Sequence, residues 1–170
     1  MDRLQQSEML AKLLSGESRR AERVTSVAQE SFPSCAHWSG PVLLERIAYL
    51  QKLARFGEGT ASEELKAFPG HSAMLSVRLR SGTVEISEAF AELFIVLEGH
   101  ATIVIGGKSE KTAHAGAGPV INTTIINGSK QQLRTGDVLH IAAGTPYQLL
   151  LAGDRTLGCL VIRIRETEEL

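Results

Sequence analysis

A chain of 170 residues, 43% of them hydrophobic and 22% charged, is long enough for one domain to bury a core without disulfide or metal staples. Its formal net charge of −1 gives no electrostatic ground for nucleic acid or an anionic membrane as partner, and no apolar run approaches the ~20 residues that cross a bilayer. The opening MDRLQQSEMLAKLL starts with an acid and lacks an apolar core segment, unlike a signal peptide, and Cys35 and Cys159 stand far apart, so free thiols in a reducing cytoplasm are expected.

The first 70 residues read as helix. Leu4, Met9, Leu10, Leu13 and Leu14 cluster mainly on one face, and Gly16 follows as a C-cap. Val24, Val27 and Ala28 mark a second amphipathic segment closed before Pro33. The third is stronger. Ser39 can cap it, Pro41 suits its first turn, Leu43, Leu44, Ile47, Leu50 and Ala54 form an apolar stripe, and Gly57 ends it. Thr60 and Glu63 have capping-box spacing, which predicts a short helix terminated by Pro69-Gly70.

After Gly70 the period changes from 3.6 to 2. Leu75, Val77 and Leu79 alternate with Ser76, Arg78 and Arg80, which predicts a strand with one buried face. LFIVLEG and ATIVIGG read as two short strands joined at Gly99, and KSEKTAHAGAGP as an exposed loop. PVINTTII, DVLHIA, YQLLLA and LGCLVIRIR complete the strands. In the last, Leu160, Ile162 and Ile164 are expected inward and Arg163 and Arg165 outward. Arg78, Arg80, Arg163 and Arg165 read as solvated faces or edge protection. Short strands punctuated by glycine turns predict an antiparallel sandwich or barrel. The chain thus divides into a helical extension, residues 1–70, and a β domain, residues 71–170.

Two stretches carry a family resemblance. GTVEISEAFAELFIVLEG contains an acid, six residues and a glycine, Glu92 through Gly99, and GDVLHIAAGTPYQ begins with Gly136-Asp137 and turns at Gly144. In order and spacing they resemble the two motifs of the cupin superfamily, over residues 72 to 165. The resemblance implies a mainly β fold, a jelly-roll barrel with the N-terminal helical extension outside it. In such barrels two histidines and a carboxylate from the first motif and a histidine from the second hold a transition metal.

Here Tyr147 stands at the second motif's histidine position, and the first motif's pair falls at Glu85 and Ser87, or at Ile86 and Glu88 by a one-residue ambiguity, the former preferred. The set Glu85, Ser87, Glu92 and Tyr147 offers only oxygen donors, poor ones for iron, nickel or zinc. These four are the candidate ligand-binding residues, converging at the barrel mouth, with Ile95, Leu97, Ile103 and Ile105 as candidate apolar wall. His140, in the second motif's strand, joins them as a candidate, although a hydrogen-bonded structural role is preferred for it. Tyr147 can equally fill the barrel with its ring. Glu85 and Glu92 can form an acid/base pair if burial raises one of them. His37, His71, His100 and His114 lack metal-ligand spacing with one another.

The resulting expectation is a cytoplasmic cupin that binds a small organic molecule in a mostly apolar barrel, with no transition metal or other cofactor and no nucleic-acid or membrane partner. Pairing as a homodimer is implied by the resemblance alone. A cupin enzyme, either metal-dependent or epimerase-like, and a sensor barrel are the alternatives, since fold does not decide among them.

Overall fold

The computed structural model describes residues 35–113 and 121–166. The chain divides into two compact units, Met1–Leu43 and Leu44–Leu170, and the strands lie in the second. The helical expectations for Leu4–Leu14 and Val24–Ala28 fall outside the described residues.

Helix α1 (Gly40–Phe56) begins and ends where its caps require. The Leu43 amide donates to the Ser39 carbonyl, and Pro41 costs no hydrogen bond in the first turn. At the other end the Gly57 and Gly59 amides donate to the carbonyls of Leu53 and Ala54. Ile47, Leu50 and Ala54 are buried, whereas Leu44, expected in the same stripe, is exposed. No helix among the described residues is long and apolar enough to cross a membrane.

The predicted helix after Thr60 is instead a strand. β1 (Thr60–Phe68) pairs antiparallel with β2 (His71–Arg78), Thr60 opposite Arg78 and Phe68 opposite His71. Pro69-Gly70 is the hairpin turn between them, with Gly70 at φ 82° as a Pro-Gly turn demands. The capping-box spacing lacked a following 3.6-residue apolar stripe, and the hairpin prevailed over it. Thus the helical extension expected over residues 1–70 does not reach residue 70, because Thr60–Phe68 belongs to the sheet.

LFIVLEG and ATIVIGG are not two strands but one, β3 (Phe90–Ile105). Its first half lies between β7 (Val138–Ile141) and β9 (Leu157–Arg165), and its second half pairs with β6 (Ser129–Arg134) and β8 (Tyr147–Leu150). A single chain therefore passes between the two strand groups that form the barrel wall. Gly99 permits the passage: its φ is 84°, and a Cβ there would lie 2.0 Å from the Thr156 carbonyl oxygen. The segment expected as a loop supplies β4 (Lys108–Ala113), paired with β5 (Ile121–Ile126) in a separate hairpin. β6 gave no signal in the sequence, since only Leu133 of its six residues is buried.

Register decides which residues face the barrel interior. Cross-strand partners share a face, and β2 and β9 place Val77 opposite Gly158 and Leu75 opposite Leu160. That face meets α1: a Cβ on Gly158 would lie 2.7 Å from Ile47 Cγ2. Arg46 of α1 also pairs with Glu63 of β1. The interior face carries Met74, Ser76 and Arg78, opposite Val161, Cys159 and Leu157. The expectation for β9 was thus reversed, with Cys159, Val161 and Arg163 turned inward and Ile164 exposed. Alternation reveals that a strand has two faces. It does not reveal which one is interior when a helix covers the other.

Gly158→Val should destabilise the fold by about 1–3 kcal/mol through overpacking against Ile47. Urea unfolding checks this, and Ile47→Ala in the same chain should make the combined loss less than additive. An unshifted midpoint for the single variant would separate Ile47 from the strand.

Candidate functional site

Inward residues of β2, β3, β8 and β9, with the start of β1 and the segment 84–87, enclose a cavity of about 860 Å3. Segment 84–87 is not a strand, yet the backbone fixes it. Glu85 and Tyr147 exchange both of their amide–carbonyl hydrogen bonds, at 2.8 and 2.9 Å, and the Gly144 amide donates to the Ser87 carbonyl at 2.8 Å. Glu85 and Ser87 are thereby aligned beside Tyr147.

Four of the five candidates come together: Glu85, Ser87, Glu92 and Tyr147 all line the cavity. His140 does not. It sits opposite Leu93 while Ile141 is opposite Glu92, which turns its exposed side chain to the other face of the sheet. The wall also differs from expectation. Ile95, Leu97, Ile103 and Ile105 are absent from the lining, Ile103 packing instead within the main core cluster. Nine of the fifteen lining residues bear a hydroxyl, carboxylate or guanidinium, so the interior is not mostly apolar. Met74, Phe94 and Val161, with Ala61, Val84 and Ile86, contribute its apolar part.

The polar residues form a connected row. Arg78 pairs with Glu85. The Tyr147 hydroxyl donates to Glu92 Oε2 at 2.8 Å and has Glu85 Oε2 at 3.2 Å on its other side. Arg163 Nε lies 3.2 Å from Glu92 Oε1, close enough for an ion pair but without hydrogen-bond alignment, so its buried N–H has no acceptor. Arg163 Nη2 approaches Ser87 Oγ at 3.5 Å, and the guanidinium lies 4.7 Å from the centroid of the Phe90 ring. Glu92 is the buried charged residue of the described chain, 8% exposed. The Tyr147 ring packs edge-on against Phe94 at 5.7 Å.

Reading the sequence found the carboxylates and the phenol but not the arginines. Their alternation reads as solvated faces or edge protection, yet Arg78 and Arg163 both line the cavity. The available signal was charge balance: two carboxylates placed inside a barrel require cations nearby.

Burial, followed by the charges of Glu85 and Glu92, pushes the Tyr147 phenol far above its ordinary value, so the hydroxyl stays a donor through the physiological range. Burial likewise raises the Cys159 thiol to about 12. These states bear on the transition metal that the cupin resemblance implies. A phenol held neutral ligates poorly, both carboxylates face guanidinium groups, and no imidazole lines the cavity. Among the described residues no group of three or more histidine, cysteine, aspartate and glutamate side chains is arranged to hold a metal ion. The residues present do not fit a transition metal.

Alkaline stability tests these proton states. With a thiol raised from 9.0 to about 12 and a phenol raised above 10.0, the unfolded chain loses these protons first. Their stabilisation is complete below pH 9 and is lost as pH rises through the thiol and then the phenol window. In chemical unfolding followed between pH 8 and 11, Cys159→Ala should flatten the decline that begins near pH 9, and Tyr147→Phe the part that begins near pH 10. A Tyr147→Phe decline parallel to the parent's would mean that this phenol is not held protonated by the fold.

No protein-family model and no curated protein matches the sequence. Solved structures do. The cupin domain of Cnp3 from Schizosaccharomyces pombe matches at 12% identity and a TM-score of 0.47, covering 63% of this chain and 61% of that one, less than two thirds of its length. A cupin superfamily protein from Desulfitobacterium hafniense matches at 18% identity and a TM-score of 0.43, covering 63% and 78%. A Thermus thermophilus protein, TT1209, matches at 17% identity and a TM-score of 0.48, covering 69% and 95%. The chain, mainly β in its described residues, is similar to these structures over 63–69% of its length.

Proposed function

We propose that the protein binds a small organic molecule in the barrel cavity, fixed by Glu85, Ser87, Glu92, Tyr147 and Arg163, without a transition metal. The observation that carries this reading is the row of charges turned into a cavity where a purely structural barrel would place apolar side chains. Burying Glu92 costs solvation that its attraction to a half-exposed Arg163 only partly returns, so the pair is weak support for stability and better support for recognition. A cavity of about 860 Å3 lies within the range of about 300–1,000 Å3 usual for small-molecule sites.

A catalytic version of the same site rests on one specific contact. A single phenol lies 2.8 and 3.2 Å from two carboxylates, so a carboxylate would be the general base of such a site while the phenol, held protonated, orients a substrate by hydrogen bonding. Location and assembly are part of the proposal as well: the free thiols of Cys35 and Cys159 suit a cytoplasmic protein, and the resemblance suits a homodimer.

Native mass spectrometry of protein purified without dialysis should show an added organic mass that Glu92→Gln and Arg163→Met each deplete. Elemental analysis of the same tag-free sample should find no stoichiometric iron, nickel, copper or zinc. Retention of the added mass by both variants would remove the cavity from the reading, and about one transition metal per chain would overturn its metal-free part.

A further inference from the structure

We propose that the ligand is an uncharged polyol of monosaccharide size, held by a vicinal pair of hydroxyls between Glu92 and Arg163; this rests on the cavity being the binding site. The first ground is charge balance. Arg78 pairs with Glu85 and Arg163 with Glu92, so the four charges of the lining cancel. An anionic ligand would meet two carboxylates in a confined space and would have to displace Glu92 to engage Arg163 fully. A cationic one would meet the mirror-image obstacle.

The second ground is what the network leaves unused. Arg163 Nε is buried with its N–H unaccepted, and Nη2 has only the long contact to Ser87. Glu92 commits Oε2 to Tyr147, while its Oε1 lies 3.2 Å from Arg163 Nε without a hydrogen bond. The Nε itself is shielded beside Glu92, so the donors within reach are the terminal nitrogens of a guanidinium whose side chain is 38% exposed, and they stand beside the spare acceptor of Glu92. Two neighbouring hydroxyls match them, one donating to the carboxylate while the next accepts from the guanidinium. A lone alcohol can bridge the two but leaves the other hydroxyls of the lining unmatched, and a carboxylate satisfies only the donor.

The third ground is the rest of the lining. The hydroxyls of Ser62, Ser76 and Thr60 offer both donors and acceptors, which suits a molecule with several hydroxyls. Phe94 and Val161 offer an apolar surface for the C–H face of a ring. The Arg163 guanidinium is already held against Phe90, so its fork is positioned before a ligand arrives.

The test is an amide NMR titration of the full chain. Probes are D-glucose, D-mannose, D-galactose and myo-inositol, with cyclohexanol, pentanoate and inorganic phosphate in parallel. At least one neutral polyol should saturably shift the amides of residues 85, 87, 92, 147 and 163, and the other three compounds should not. Glu92→Gln and Arg163→Met should each weaken the polyol at least tenfold. Ser76→Ala, which leaves every charge in place, should weaken it by a smaller factor and provides the measurement if a charge variant does not fold. Saturation by pentanoate or phosphate with no polyol effect would overturn the polyol class and leave cavity binding standing. Silence of the cavity amides to all the polyols would also overturn it, while the added mass in native spectrometry separately decides whether the cavity binds anything.

Discussion

Glu92 is the constraint around which the barrel interior is arranged. Nearly all of its carboxylate is removed from water, and a charge so placed is tolerable only where protein groups replace the solvent. Tyr147 supplies a hydrogen bond and Arg163 supplies the counter-charge. Each in turn comes from a different strand, β8 and β9, and Glu85 enters through its exchange of backbone hydrogen bonds with Tyr147. Satisfying one buried carboxylate therefore ties four segments together that are distant in sequence. The same arrangement keeps the cavity wet in character. Filling it with aliphatic side chains would leave the carboxylate without partners.

The sheet formed by β2, β9 and β3 makes that interior possible because both of its faces are covered. α1 lies over one, where Gly158 lets Ile47 approach the backbone, and the cavity lies under the other. Apolar burial is thus supplied largely by the helix-facing residues and by the core cluster of Val96, Ile103, Leu149 and Leu157. The mouth of the barrel is left free to carry charge. Apolar packing and buried charge are divided between two faces of one sheet, and a strand such as β2 carries both, with Leu75 and Val77 on one side and Ser76 and Arg78 on the other.

This division explains what the sequence could and could not disclose. The helix over 40–56 was legible because its cap residues and its apolar stripe agree. The β character after Gly70 was legible from the period of 2, and the motif resemblance located Glu85, Ser87, Glu92 and Tyr147 on one cavity. Arg78 and Arg163 were misplaced for a physical reason: in a half-exposed sheet the charged positions face water, but here they turn into a cavity and pair with its carboxylates. The β1 hairpin was hidden by a two-residue coincidence of capping spacing. β6 was hidden because a strand at a polar margin needs almost no apolar residue. His140, the candidate for which a structural role was preferred, lies off the cavity because its register with Leu93 turns it to the other face of the sheet.

Tyr147 has a positive role as well as standing where the cupin resemblance implies a histidine. An imidazole at that position would titrate near neutrality and offer a nitrogen lone pair to a metal. A buried phenol between two carboxylates does the opposite: it remains protonated and always donates. Replacing the one by the other converts a site organised around a central cation into one closed by its own hydrogen bonds, with guanidinium groups supplying the positive charge that a metal would have brought. Such a site has no strong central attraction for a ligand. It has instead several directional donors and acceptors of modest individual strength, so the proposed binding would discriminate by how many of them a ligand satisfies at once. That is a physical basis for selecting among neutral molecules by the placement of their hydroxyls rather than by charge.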